Sequence, residues 1–88
     1  MTKAQFHRIS KVLADPTRYQ ILSRIAGQQE LACSDLRCKL TITPATLSHH
    51  IKELSSAGLI ETRKTSKFIH MRLRKAIWKD YLSTLAKL

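Results

Sequence analysis

Residues 43–58 read TPATLSHHIKELSSAG and contain the signals of a short helix with clear ends. Thr43 suits the N-cap position because its hydroxyl can accept a hydrogen bond from a backbone N–H of the first turn. Pro44 suits the first helical position, where its missing N–H costs nothing. Gly58 can adopt the left-handed backbone conformation that ends many helices. The stretch therefore predicts one helix between these boundaries.

At 3.6 residues per turn, this helix has one apolar face and one polar face. Leu47, Ile51 and Leu54 share the apolar face, which is expected to enter a core. The polar face carries small, hydrogen-bonding and cationic side chains, and such groups read base edges when a helix lies in a DNA major groove. An ordinary amphipathic surface helix is the alternative, so the flanking sequence has to distinguish the two.

The residues before this helix predict more helical structure. Apolar residues at helical spacing predict a first helix over residues 3–13, and Asp15-Pro16 supplies a cap and a first-turn proline for a second helix over residues 16–28. Tyr19 is expected to face inward with the other apolar residues of the second helix, which are Leu22, Ile25 and Ala26.

A third helix, short and starting at Cys33 or Ser34, is expected to run through Leu40 after an apolar link that can form a very short edge strand. Two short helices joined by a few residues, the second of them capped, form the helix-turn-helix arrangement. Residues 34–57 therefore predict a helix-turn-helix whose second member is the recognition helix.

After Gly58 the apolar period changes from that of a helix to that of a strand. Residues 59–63 and 68–73 alternate, and residues 64–67 form a polar tip between them. The pattern predicts a β-hairpin, or wing, over residues 59–73, with a basic tip that reaches a phosphate backbone or a minor groove. The alternative is a loop that its lysines merely keep solvated. The basic residues are Arg63, Lys64 and Lys67.

Helical spacing returns over residues 75–88 with an apolar stripe that is broad for a last helix. The stripe either covers the chain's own core or pairs with a second subunit, and we favour the second reading with the first helix as partner. The expected dimer surface comprises Phe6, Ile9, Val12, Ile77, Trp78, Tyr81 and Leu85. The whole chain, residues 1–88, then forms a single, mainly α winged helix-turn-helix domain with about five helices and a two-stranded wing.

Composition limits the partners and the compartment. The chain has 88 residues, and its 16 Lys plus Arg against 6 Asp plus Glu give a net charge of +10, which attracts a polyanion. Ribosomal and membrane-surface proteins share that property. No apolar run approaches a membrane span, no secretory signal is evident, and two cysteines five residues apart fit a reducing cytoplasm.

Several segments together resemble the ArsR/SmtB family of bacterial winged-helix transcription regulators. The most specific are Ala14-Asp15-Pro16-Thr17-Arg18 and Leu47-Ser48-His49-His50-Ile51, and the resemblance covers roughly residues 12–73. It implies a homodimer built from the first and last helices, and a repressor that leaves its operator when a signal arrives. Activation instead of repression stays open, and the sequence names neither the operator nor the signal.

The resemblance also implies which residues contact double-stranded DNA. These are the start and polar face of the recognition helix together with the wing, namely Thr43, Pro44, Ala45, Thr46, Ser48, His49, Lys52, Arg63, Lys64 and Lys67. His50 borders the apolar face and is interpreted as a packing and hydrogen-bonding residue, with DNA contact as the alternative.

One departure from the family concerns metal sensing. Many members bind metal through two cysteines of a Glu-Leu-Cys-X-Cys-Asp-Leu segment, and this chain has Ala32 and Ser34 at those two positions. A second family site uses His and acidic residues of the last helix, which here offers Asp80 and no His. Transition metals need thiolate or multiple imidazole ligands, so we expect no metal site of these kinds and no cofactor.

Four functions other than sequence-specific DNA binding make different predictions about the sequence. Cys33 and Cys38 could form a thiol redox switch, or they could be two small hydrophobic residues. The spacing of nucleophiles, histidines and glycines suggests no catalytic set and no phosphate-binding loop, so we expect no enzyme. A protein-interaction module with a winged-helix shape predicts a neutral recognition face, whereas this one is cationic. A nonspecific nucleic-acid-binding protein would bind all duplexes with steep salt dependence.

Overall fold

Side chains cap three of the helices at their first turn in the computed structural model, which describes residues 1–88. Thr2 accepts a hydrogen bond from the Gln5 backbone N–H at 3.1 Å. Asp15 and Thr43 do the same for the N–H groups three residues on, at 3.0 Å and 3.2 Å. These bonds satisfy amide groups that have no partner inside the helix, so the predicted helix starts at residues 3, 16 and 44 are confirmed.

Five helices and three strands follow one another in a winged helix-turn-helix order. They are α1 (Lys3–Leu13), α2 (Pro16–Ala26), β1 (Leu31–Ala32), α3 (Cys33–Lys39), α4 (Pro44–Ser56), β2 (Ile60–Thr65), β3 (Phe68–Leu73) and α5 (Lys75–Ala86). Each predicted element is present. The second, third and fifth helices are one or two residues shorter at their C-terminal ends than predicted.

The strands form one antiparallel sheet in the order β1-β3-β2. In β2 and β3, Ile60 faces Leu73 and Thr65 faces Phe68, while Leu31 of β1 faces Met71. The hairpin is longer than predicted, because the strands extend to Thr65 and leave Ser66 and Lys67 as its turn. Because β1 pairs with β3, it adds a third strand to the predicted two-stranded wing.

One core joins all of these elements. Fourteen apolar side chains are buried in it, and they come from α1 to α5 and from all three strands. Leu47 and Leu54 attach α4 to this core at 2% and 0% exposure, as the pattern of its apolar face predicted. Gly58 adopts a φ of 82° after α4, which turns the chain into the hairpin. The core thus fixes which face of α4 points outward.

Two expectations about burial are wrong. Tyr19 is 57% exposed and Ala26 is exposed as well, because Ile21, Leu22 and Ile25 form the buried face of α2. Ile9 and Val12 are 0% and 3% exposed within the single chain, so they belong to its own core and cannot contact a second subunit. An apolar position on a helix predicts burial, but it does not say whether the covering surface belongs to the same chain.

Tyr81 also packs within the chain. It is 6% exposed, its hydroxyl lies 2.8 Å from the Ser10 hydroxyl of α1, and its ring centroid lies 5.2 Å from that of Phe6. Trp78 stacks on the same ring at 5.9 Å. α1 therefore covers one edge of the apolar stripe of α5. Because Tyr81 lies under α1, it is not available to the expected dimer surface.

Candidate nucleic-acid interface

The outward face of α4 holds every residue of this helix that the sequence assigned to DNA contact. The N-cap residue and six helical residues are all exposed: Thr43, Pro44, Ala45, Thr46, Ser48, His49 and Lys52. Thr43 and Thr46 share a hydrogen bond between their hydroxyls at 2.8 Å. The face thus offers hydroxyl, imidazole and ammonium groups over two turns, with no acidic residue in the first turn.

His50 lies on the other side of α4. It is 8% exposed, and its Nδ1 accepts a hydrogen bond from Nε of Arg18 at 3.3 Å. The interpretation of His50 as a packing and hydrogen-bonding residue is confirmed by this contact. Arg18 is a residue whose part in the site the sequence did not reveal, because its partner lies 32 positions further along the chain.

The basic residues of β2 point to opposite faces of the hairpin. Lys64 is paired with Ile69 and Arg63 with His70 across the two strands. Since paired residues share a face and successive residues alternate, Lys64 lies on the face that carries buried Met71, and Arg63 lies on the outer face. The three basic residues at the tip, with Lys67 in the turn, are therefore not one continuous cluster.

Arg63 has protein partners on the outer face. Its Nη2 donates to Oε1 of Glu30 at 2.5 Å, and its Nη1 donates to the Thr65 hydroxyl at 2.6 Å. Nδ1 of His70 lies 3.3 Å from the same Glu30 oxygen. Arg63 would have to leave Glu30 before it could bind a phosphate, whereas Lys64 and Lys67 form no ion pair.

A groove of about 270 Å³ separates α4 from the inner face of the hairpin. Ser48 and Lys52 line it from α4, and Thr62 and Ile69 line it from the strands. Lys64 shares the hairpin face that forms this second wall. The recognition face and the inner face of the wing therefore border one groove, which Lys52 lines from α4, while Lys64 lies further towards the tip on the same hairpin face.

Phe68 is an exposed aromatic residue at the wing tip that the sequence interpretation did not single out. It opens β3, is 49% exposed, and has the Lys67 Nζ at 5.9 Å from its ring centroid. The preceding turn is tight, because Ser66 adopts a φ of 56°. Strand periodicity could have indicated that Phe68 and Ile69 point to different faces near the tip.

The two cysteines differ in their surroundings. Cys33, the first residue of α3, is half-buried, and Cys38 is exposed. Burial raises the pKa of the Cys33 thiol, although the nearby charge of Arg37 lowers it in part. A raised pKa reduces the thiolate fraction at neutral pH, and the thiolate is the reactive form. This environment favours an unreactive thiol at position 33.

The positions that correspond to the family's metal-binding cysteines lie where β1 meets α3. Ala32 is half-buried at the end of the strand, and Ser34 is exposed. No group of three or more His, Cys, Asp or Glu side chains is arranged to hold a metal ion.

No helix of the chain has the length and apolar character needed to cross a membrane.

Comparison with known proteins identifies the same architecture. A family described as "Helix-turn-helix domain" matches residues 13–63. An uncharacterised HTH-type transcriptional regulator of Bacillus subtilis is 36% identical over 76 residues, which are 85% of this chain and 76% of that protein. The arsenical resistance operon repressor of Staphylococcus xylosus is 35% identical, over 94% of this chain and 78% of its own length.

Solved structures of transcriptional regulators have the same fold as this chain. An ArsR-like transcriptional regulator from Rhodococcus sp. RHA1 superposes with a TM-score of 0.84 at 25% identity, over 96% of this chain and 78% of its own. The homodimeric winged helix-turn-helix DNA-binding domain of a possible ArsR-family regulator from Mycobacterium bovis has a TM-score of 0.77 at 25% identity, with coverages of 94% and 77%. The chain belongs to the ArsR family of winged helix-turn-helix transcriptional regulators, a family of DNA-binding proteins and not of enzymes.

Proposed function

We propose that this regulator is a homodimeric bacterial repressor that binds an inverted-repeat operator in the cytoplasm. The exposure of the complete predicted recognition face of α4, from Thr43 to Lys52, is the observation that carries the proposal. The matched repressors of arsenical resistance operons support repression as the outcome. The homodimeric state of the Mycobacterium bovis domain supports a dimer.

In this proposal the recognition helices of two subunits enter successive major grooves, about 34 Å apart. Thr46, Ser48 and His49 contact base edges, since their polar groups lie on the outward face of α4. Lys52 of α4 and Lys64 and Lys67 of the wing, which form no ion pair within the chain, bind phosphates. Binding then prevents access to a promoter.

Remaining apolar surface on α5 supports the dimer. Leu82 and Leu85 are 43% and 37% exposed, and Trp78 and Ile77 are half-buried. With Ile9, Val12 and Tyr81 in the chain's own core, these α5 residues and the half-buried Phe6 of α1 form the revised dimer surface. They continue the edge of the core, so a second copy would bury apolar side chains that water now covers.

Replacement of Lys64 and Lys67 by alanine tests the division between phosphate and base contacts. We expect the double variant to bind every duplex more weakly. The slope of log affinity against log salt concentration should become shallower by the equivalent of about two phosphate contacts, because each lysine that neutralises a phosphate releases counterions. Binding is measured at several salt concentrations on an operator duplex and a random duplex of equal length.

His49→Ala is the complementary variant. It should reduce the preference for operator over random DNA by about 1–3 kcal/mol if His49 contacts a base edge, with little change in salt dependence. The proposed division of roles would be wrong if the lysine variant lost operator binding only, or if His49→Ala weakened both duplexes equally.

A further inference from the structure

Three polar side chains link α2 to the recognition helix. Oδ1 of Asp15 accepts a hydrogen bond from the Arg18 backbone N–H at 3.0 Å, and its Oδ2 lies 3.9 Å from Nη2 of Arg18. The Arg18 side chain then donates from Nε to Nδ1 of His50 at 3.3 Å. His50 is the one polar residue among the 15 buried residues of the chain, and its hydrogen-bond partner comes from α2.

The bond constrains the protonation of the imidazole. Nδ1 can accept only while it carries no proton, so the neutral ring has its proton on Nε2. In a doubly protonated ring, Nδ1–H would face the Nε–H of Arg18, and two donors with two positive charges would meet. The Arg18–His50 bond and protonation of His50 therefore exclude each other.

His50 connects the core to the reading face of α4. It lies between Leu47 and Leu54, which are 2% and 0% exposed, and it directly follows exposed His49, whose ring centroid is 6.0 Å away. A bond from α2 at this point adds to the core contacts of Leu47 and Leu54 that set the rotation of α4 about its own axis. The direction in which Ser48 and His49 point depends on that rotation.

We propose that Arg18 is a positioning residue for DNA recognition: through Nδ1 of His50 it holds α4 in its reading orientation, so that protonation of His50 releases the helix and weakens operator binding. The inference rests on the proposed function, because it concerns how the same site is held. It adds a residue outside the DNA-contacting face and a response to acid that acts through a buried group.

α2 and α4 supply the charged groups that contact or adjoin His50. α2 presents Asp15 and Arg18, and α4 itself contributes His49 and, one turn on, Glu53. No ion pair joins α1 to α4. The backbone N–H of Arg18 holds the pKa of Asp15 below its ordinary value of 3.8, so that carboxylate stays ionised in mild acid.

The test compares pH profiles of operator binding for three proteins. His50→Asn places an amide oxygen two bonds from Cβ, as Nδ1 is, and so keeps an acceptor for Arg18 that does not titrate. His49→Asn is the matched control, since it removes the neighbouring imidazole from the exposed face. The probe is a duplex enriched from a random pool, and dissociation constants are measured from about pH 8 to pH 5.5 at constant salt.

We expect the original protein to lose about tenfold in affinity across this range, the effect of one hydrogen bond to a charged group. His50→Asn should show no such loss. His49→Asn should bind more weakly at every pH and still show the loss. Equal losses in the original protein and His50→Asn would overturn the inference.

A second readout needs no DNA. Nitrogen chemical shifts of the His50 ring in the free protein should show an unprotonated Nδ1 and a protonated Nε2 near neutral pH, and Arg18→Lys should change that pattern, since lysine has no Nε donor. A ring protonated on Nδ1 would contradict the inference whatever the binding data. If no duplex is bound even at pH 8 while the tautomer is as expected, the proposed function fails and the Arg18–His50 bond stands as a structural contact only.

Discussion

Replacement of Leu85 by glutamate is expected to leave the regulator monomeric and to weaken operator binding by about 100-fold or more. Leu85 is 37% exposed on the apolar stripe of α5, so the proposed dimer buries it. A carboxylate there loses its hydration without gaining a partner. Two recognition helices joined in one dimer bind far more tightly than two separate ones, typically by factors of about 10²–10⁴. Light scattering gives the mass, and titration of a labelled duplex gives the affinity.

Ser83→Glu is the matched control for this prediction. It introduces the same charge on the same helix, at an exposed position on the polar side of α5. The control should keep the mass of a dimer and should bind the operator close to normally. A dimeric Leu85→Glu protein with unchanged affinity would show that α5 does not form the dimer surface.

Replacement of Leu54 by alanine should produce the largest loss of stability in the recognition helix. Leu54 is 0% exposed and belongs to the cluster of 14 buried apolar residues that unites the domain. Leucine-to-alanine changes at such sites cost about 2–5 kcal/mol. A domain of this size changes its melting temperature by about 4–8 °C per kcal/mol, so we expect a fall of about 10 °C or more.

Calorimetry at one fixed protein concentration measures this effect, because the stability of a dimer depends on concentration. Leu88→Ala makes the same deletion at a fully exposed side chain and should change the melting temperature little. A loss below about 1 kcal/mol for Leu54→Ala, outside the usual range for a buried leucine, would mean that α4 is not attached to the core in the way described.

The local parts of the fold could be predicted from the sequence because their causes are local. Thr43, Pro44 and Gly58 define the ends of α4 through hydrogen bonding and backbone geometry within a few residues. The positions of Leu47 and Leu54 define its buried face through helical period alone. For the same reason the exposed face of α4 could be predicted, while DNA contact by the residues on it stays a prediction.

Features that depend on contacts distant in sequence could not be predicted. The sequence shows that Ile9, Val12 and Tyr81 are apolar, but only the packing of α1 against α2, α4 and Tyr81 determines that one chain covers them. Arg63 and Lys64 are adjacent in sequence, and their separation depends on the register of the hairpin and on Glu30. The Arg18–His50 bond joins residues 32 positions apart, for which no local pattern exists.

Sequence selection from a random duplex pool, followed at two salt concentrations, tests the central claim most directly. If the regulator reads DNA as a dimer through α4, the pool should become enriched in an inverted repeat with half-sites about one helical turn apart. Affinity for the enriched duplex should exceed that for random DNA by at least about 10³-fold at the same salt. No enrichment, with equally steep salt dependence on every duplex, would contradict sequence-specific repression and would leave a basic nucleic-acid-binding protein with a winged-helix fold.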